Sequence, residues 1–250
     1  MELLDFPKFR ISCQNCSLAE LCLLHGLNGD ELKRLDAAIR RSRPLHKGDC
    51  LFRPGEPADS LYAVRSVSIK LYETLDDGDQ QIIGFYLPGE ILGLDGIETG
   101  AHRCTAVALE TSSACAVPLS ELKTICRQIP SLQEQMLRLF SRELSSDHEL
   151  LLSLTRRTAE ERVATFLASL SARFKRIGYS PNEFKLSMSR EEIGGYLGLT
   201  IETVSRVFTR LKVKGMIALN RRQVTIRDGA RLRALSSGSA SPDPRQAALR

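Results

Sequence analysis

Cys13, Cys16 and Cys22 fall as C-x2-C-x5-C within ten residues. Three thiols so close together suit a shared metal ion or cluster. The total of seven cysteines is odd, which argues against a closed disulfide framework. An all-thiolate zinc site and a cubane iron–sulfur cluster both need four ligands, so a fourth must come from elsewhere. Cys50, Cys104, Cys115 and Cys126 are the candidates, and spacing alone does not select among them. Free cysteine packs as a small hydrophobe, so three of these four are expected to be ordinary buried residues. His25 and His46 are further donors in principle, but a lone histidine is more often structural. Chemistry alone leaves zinc and iron–sulfur both open.

A second set of residues suits base recognition. Ser189-Arg190-Glu191-Glu192 opens a helix with a capping box, in which the Ser hydroxyl and the Glu carboxylate satisfy each other's backbone N–H groups. Gly198 allows a break, Thr200 can cap a second helix to about Val213, and Gly215 ends it. Two short helices joined by a tight glycine turn are the helix-turn-helix pattern. On the second helix Val204, Phe208 and Leu211 are spaced for burial. Glu202, Ser205 and Arg206 share another face near its N-terminal end, where a recognition helix presents side chains to the major groove. Arg pairs bidentately with guanine, Glu accepts from cytosine, and Ser meets a base or a phosphate. Arg210, Lys212 and Lys214 then point towards phosphates. Ile217–Leu219 and Gln223–Ile226 flank Asn220-Arg221-Arg222, which reads as a β-hairpin wing with a basic tip.

These two sites need elements to hold them. Residues 28–42 read as a short helix with Leu32, Leu35 and Ile39 on one face. From Pro44 to about Leu119, short strands such as Leu61–Val64 and Ser68–Tyr72 alternate with glycines. This texture suggests a barrel or jelly roll, with Asp76–Asp79 as a hairpin tip. Residues 131–156 read as one long helix. Leu137, Phe140, Leu144, Asp147, Leu151 and Leu154 recur at alternating spacings of three and four, the period of a coiled-coil seam. Two copies of Asp147 facing each other oppose pairing, so the seam reads as a marginal, switchable homodimer contact. Residues from 158 look helical until a loop at 178–182. The expected organisation is a cysteine-bearing segment at 1–27, a barrel at 28–130, a dimerisation helix at 131–156, a DNA-binding domain at 157–235 and a disordered tail at 236–250.

The charge divides along the same lines. The chain of 250 residues has a net charge of +5, but residues 1–150 carry −6 and residues 151–250 carry +11. A basic second half points to a polyanionic partner. The N-terminus lacks the apolar core of a signal peptide and no run of 18 apolar residues occurs. The expected compartment is the reducing cytoplasm, where clustered cysteines more often hold metals than form disulfides. No Ser/His/Asp triad, Walker loop or paired-carboxylate motif stands out, so an enzyme is not expected.

The combination resembles the oxygen-sensing fumarate and nitrate reduction regulator (FNR) family, a branch of the cyclic AMP receptor protein superfamily. The likeness spans roughly residues 10–228. It rests on Cys-Gln-Asn-Cys-Ser-Leu-Ala-Glu-Leu-Cys at 13–22, Ser-Leu-Tyr-Ala-Val-Arg-Ser at 60–66, Ala-Leu-Glu-Thr-Ser-Ser-Ala-Cys at 108–115, and Tyr-Leu-Gly-Leu-Thr-Ile-Glu-Thr-Val-Ser-Arg at 196–206. The resemblance implies an α+β architecture: an N-terminal β jelly roll of the cyclic-nucleotide-binding type, a long dimerisation helix and a C-terminal winged helix-turn-helix. It implies Cys115 as the fourth ligand and an oxygen-labile 4Fe–4S cluster. It also implies that Glu202, Ser205 and Arg206 read palindromic TTGAT-type sites on double-stranded DNA. In the implied switch, oxygen converts the cluster to a 2Fe–2S form, the seam loosens and DNA affinity falls. Ser17 and Leu21, beside two ligands, are placed to affect cluster lifetime. The Thr74–Asp79 region is favoured as a contact for RNA polymerase.

Two departures from the superfamily pattern stand out. Val67 follows Arg65-Ser66 where glycine is common, and a β-branched residue resists positive φ, so a different turn is expected there. Gly89-Glu90 and Arg103-Cys104 form only an incomplete, mis-spaced version of a cyclic-nucleotide phosphate site, so Arg103 is expected at the surface. The alternative function is a cyclic-nucleotide-responsive activator whose N-terminal cysteines hold structural zinc.

Overall fold

The computed structural model describes residues 13, 16, 18, 22, 27–41 and 44–238. Ser17, Leu21, His25 and the expected tail beyond Gly238 lie outside the described residues.

Helix α1 (Gly29–Ala38) starts at a capping box: Asn28 Oδ1 accepts from the Glu31 N–H at 3.0 Å, and Glu31 Oε2 accepts from the Asn28 N–H at 2.8 Å. It ends four residues short of the expected 42, because the chain enters strand β1 (Arg40–Arg41) and pairs with the barrel. Strands β2 (Cys50–Phe52), β3 (Ser60–Ser66), β4 (Ile69–Thr74), β5 (Gln80–Tyr86), β6 (Ile91–Leu92), β7 (Thr105–Ala108) and β8 (Ser113–Pro118) complete the jelly roll. One sheet runs β1-β8-β3-β6 and the other β2-β7-β4-β5, with every pairing antiparallel. Phe52, Val64, Ile69, Leu71, Leu92 and Ala106 fill the space between them. The opposite side of the first sheet carries Leu61, Ala63, Ile91 and Val117, which pack under α1 and the helices that follow β8. This inside–outside alternation is the period of two expected of a strand buried on both faces.

The turn between β3 and β4 differs from the sequence expectation. Val67 adopts φ 60°, so the valine takes the left-handed conformation that glycine favours. Pairing of β3 with β8 and of β4 with β7 on either side imposes the turn, and the side chain bears the strain. Val67→Gly is therefore expected to stabilise the protein by about 1 kcal/mol, raising the melting temperature by roughly 2–4 °C. An unchanged or lower melting temperature would count against this strain.

Helix α2 (Leu119–Gln128) lies within what reads from sequence as the barrel's end, and it leads into α3 (Pro130–Arg156). Pro130 occupies the first turn of α3, where its missing N–H costs nothing. Leu132, Met136 and Leu139 pack onto the barrel side with Leu122 and Ile125 of α2. The C-terminal domain comprises α4 (Ala159–Arg176), β9 (Glu183–Lys185), α5 (Arg190–Leu197), α6 (Ile201–Val213), β10 (Ile217–Asn220), β11 (Gln223–Ile226) and α7 (Gly229–Ser236). Its small sheet runs β10-β11-β9.

The two domains share a core. Ile82, Phe85, Leu87 and Leu109 of the barrel join the buried cluster built on α4, α5 and α6. The rings of Phe85 and Tyr196 meet edge-on at 5.3 Å, and those of Phe85 and Phe166 at 6.1 Å. Lys70 Nζ lies 3.0 Å from Glu192 Oε1 across the same boundary. Glu90 accepts from both Arg173 and Arg176 of α4, with Arg176 at 2.8 Å.

Candidate metal centre and DNA-reading surface

Cys13, Cys16, Cys22 and Cys115 all line one small cavity, together with Leu18, Ile39, Ala63, Val64, Arg65 and Val117. Strand register brings Cys115 there: in β8 it stands opposite Ala63 of β3 on one side and Arg41 of β1 on the other. The N-terminal thiols arrive through a local turn, in which the Cys16 N–H donates to the Cys13 carbonyl at 3.2 Å. The Cys22 N–H donates to the Leu18 carbonyl at 3.0 Å. Asp36 of α1 anchors the segment, accepting from the Cys13 N–H at 3.0 Å and pairing with Arg41. The other three thiols stand outside this cavity lining: Cys50 in β2, Cys104 beside Asp95, and Cys126 in α2.

The donor set is chemically uniform, four sulfurs in a lining that is otherwise apolar except for Arg65. That fits a group held by thiolates and shielded from water. Burial pushes the Cys13 thiol well above the usual range, helped by its hydrogen bond to Asp36 and that carboxylate's charge, while Arg41 acts in the opposite sense. Burial likewise raises Cys115, against the pull of Arg41 and Arg65. Cys13 and Cys115 are thus protonated when nothing is bound, and ligation of a metal by these two sulfurs would release their protons. Among the described residues, no three Cys, His, Asp or Glu side chains are grouped closely enough to hold a single metal ion.

The second site is built by local rules. Ser189 caps α5 and accepts from the Glu192 N–H at 3.1 Å, while Glu192 Oε2 accepts from the Ser189 N–H at 2.7 Å. Gly198 takes φ 61° at the turn, and Thr200 caps α6 by accepting from the Thr203 N–H at 3.3 Å. A Cβ on Gly194 would lie 2.4 Å from the Leu199 carbonyl oxygen, so only glycine lets the turn close on α5. Val204, Phe208 and Leu211 are buried as their spacing suggests, and Val207 joins them. Glu202, Ser205, Arg206 and Arg210 are all exposed. Arg221 and Arg222 form the tip of the β10–β11 wing and are exposed, although Arg222 also donates to the Ser187 carbonyl at 3.0 Å. Lys214 is exposed as well, and its Nζ pairs with Glu160 Oε1 at 2.5 Å.

Helix α3 shows its other face to solvent. Leu137, Phe140, Leu144 and Leu151 are 62%, 37%, 57% and 60% exposed, with Asp147 exposed among them. Leu154 is different. It is half-buried near Gly198 of the same chain, and its carbonyl accepts from Arg162 Nη2 at 2.7 Å, so its own domain already covers part of it. Leu152, outside the seam pattern, is also exposed.

Glu90 does not face the barrel interior as a phosphate ligand but pairs with Arg173 and Arg176, and Arg103 is a surface residue near Glu73 at 3.9 Å. Close to this ion pair, Glu143 of α3 is pushed up to about 7 by burial and by the charges of Glu90 and Asp147, against Arg173 and Arg142. Its proton is therefore held by the folded protein and released by the unfolded one between about pH 4.5 and 7. Stability from this group falls as pH rises through that window and is level above it. Glu143→Gln is expected to remove the slope. It should make the protein more stable by on the order of 1 kcal/mol at pH 8, after allowance for solvent screening. Denaturant titrations at pH 5 and 8 check this, and identical slopes in both proteins would contradict it.

A jelly roll, a long exposed helix and a winged helix-turn-helix with a basic, outward-facing recognition surface define a transcription regulator of the Crp type. Residues 42–129 match the family model of the cyclic nucleotide-binding domain, and residues 161–235 that of the Crp-like helix-turn-helix domain. The chain is 49% identical over 227 residues to the transcriptional activator protein Anr of Pseudomonas protegens, covering 91% of this chain and 93% of that one. It is 45% identical over 226 residues to the fumarate and nitrate reduction regulatory protein of Salmonella typhimurium, covering 90% of each. The solved structure of FixK2 from Bradyrhizobium japonicum superposes with a TM-score of 0.72 at 33% identity, covering 82% of this chain and 99% of that one. The chain belongs to the FNR and Anr family of transcription regulators, and it is a regulator rather than an enzyme. Among the described residues, no helix is long and apolar enough to cross a membrane.

Proposed function

We propose that this protein is an oxygen-responsive activator in which Cys13, Cys16, Cys22 and Cys115 hold a 4Fe–4S cluster that favours a DNA-binding homodimer. The observation that carries the reading is the convergence of these four thiols, from two distant parts of the chain, on one largely apolar cavity. Bound there, the cluster supplies iron that reacts with oxygen. The chain supplies the rest. Thiolates at 13, 16 and 22 tie the N-terminal segment to β8, and the same buried cluster of side chains runs through Leu35, Val117 and Ile125 to Leu132, Met136 and Leu139 of α3. Breaking the tie shifts packing beneath α3, whose exposed face carries Leu137, Phe140, Leu144 and Leu151.

Pairing of that face with a second copy sets two recognition helices on two half-sites of a palindrome, where Glu202, Ser205 and Arg206 meet base edges. Asp147 keeps the pairing marginal. Asp147→Ala is expected to strengthen dimerisation of the cluster-free protein by about tenfold, or ~1.4 kcal/mol. Sedimentation at micromolar concentration measures this, and an unchanged dissociation constant would remove Asp147 from the switch. The exposed Thr74–Asp79 tip, which includes Leu75 at 48% exposure, is the surface proposed to meet RNA polymerase in the cytoplasm.

Iron, labile sulfide and zinc analysis of anaerobically purified protein tests the reading. Four irons and four sulfides per chain are expected. Colourless protein with stoichiometric zinc would instead favour the cyclic-nucleotide-responsive alternative.

A further inference from the structure

Besides Arg65 in its lining, the thiol cavity has a second charged neighbour, Arg41, just outside that lining. Arg41 stands opposite Cys115 in the β1–β8 ladder, so the two side chains share one face of the sheet. Its Nη2 lies 3.8 Å from Cys13 Sγ, so one guanidinium lies beside ligands from both parts of the chain. Asp36 holds it there, pairing with the same Nη2 while accepting the Cys13 N–H. Both side chains are largely buried, at 20% and 23% exposure, where screening by water is weak. Arg65 approaches from the other side. It lies two residues beyond Ala63, which pairs with Cys115, and it lines the cavity.

We propose that Arg41, fixed by Asp36, is a positioning residue that compensates the negative charge of the thiolate-ligated cluster and donates to the Cys13 sulfur. This inference rests on the cluster reading above. Four thiolates around a cubane with two positive charges leave a net charge of about −2. A buried anion of that size needs fixed cations and N–H donors nearby, and these set both its potential and its persistence. Arginine suits the place because it stays charged at every accessible pH and its planar fork can serve Asp36 and Cys13 together.

The test uses full-length protein reconstituted with iron and sulfide under nitrogen. Arg41→Gln is compared with wild type, with Arg41→Lys, and with Arg34→Gln, a control at an exposed position on α1. Three quantities are read: iron per chain, the cluster's midpoint potential, and the rate at which visible absorbance decays in air. Arg41→Gln is expected to lower the potential and speed decay several-fold. Arg41→Lys should recover most of both, and Arg34→Gln should match wild type. If Arg41→Gln takes up no iron, wild-type uptake and potential in Arg41→Lys would support the charge role, and failure of both variants would overturn it. Unchanged potential and decay in Arg41→Gln would also overturn it. Failure of wild type to take up iron and sulfide would refute the cluster reading itself, which keeps the two outcomes distinct.

Discussion

Cys115→Ala is expected to yield a folded, colourless protein that takes up no cluster and binds DNA about 100-fold more weakly without oxygen, a loss of ~3 kcal/mol. The fold should survive, because the barrel's inner core of Phe52, Val64, Ile69, Leu71, Leu92 and Ala106 does not include this residue. The site should not survive, because three thiols on one short segment cannot complete a four-ligand set or tie that segment to β8. Cys50→Ala, Cys104→Ala and Cys126→Ala are the matched comparisons, and each should load normally. Cys126 is the most informative of them, since it packs against the same buried cluster as Cys13 and Cys115 without lining the cavity. Absorption spectra and iron analysis read the first effect, and anaerobic gel shifts read the second. Normal loading of Cys115→Ala, or failure of Cys126→Ala, would reassign the fourth ligand.

Arg206→Ala should produce the other large effect. A bidentate arginine–guanine contact is worth about 1–3 kcal/mol, and a symmetric dimer loses two of them. Affinity for the palindrome should fall by roughly 30-fold to 10⁴-fold, while affinity for scrambled DNA of equal length changes little. Specificity should relax at the base pair contacted. Lys212→Ala should behave differently, weakening specific and non-specific binding together and flattening the salt dependence. Among the described residues Arg206 is exposed and its Nη2 donates to Thr203 Oγ1 at 3.4 Å, so removing it should leave the fold intact. Equal loss on specific and scrambled DNA would make Arg206 a phosphate contact.

These two sites differ in how far the sequence reveals them. The helix-turn-helix is legible almost residue by residue, because its signals act over three or four positions. Ser189 and Glu192 cap one helix, Gly198 turns the chain, and Thr200 caps the next. The thiol site is only half legible. Cys13, Cys16 and Cys22 announce themselves by spacing, whereas Cys115 is one of four spare cysteines until the family resemblance selects it. What places it physically is the pairing of β8 with β1 and β3, a long-range register that no local pattern encodes. Arg41 and Asp36 were hidden for the same reason. The docking of Phe85 on Tyr196 and Phe166, and of Glu90 on Arg173 and Arg176, is likewise absent from any periodicity. Val67 shows tertiary pairing overriding local preference, and Leu154 shows a seam position partly taken by its own chain.

The proposed function turns on one step, the control of DNA binding by oxygen through the thiol-held cluster. Its most direct test is one titration performed twice on the same preparation, with a TTGAT palindrome, first under nitrogen and then after exposure to air. Tight binding is expected under nitrogen, with a loss of about 100-fold in air that follows the fading of visible absorbance. Equal affinity before and after the absorbance has gone would contradict it.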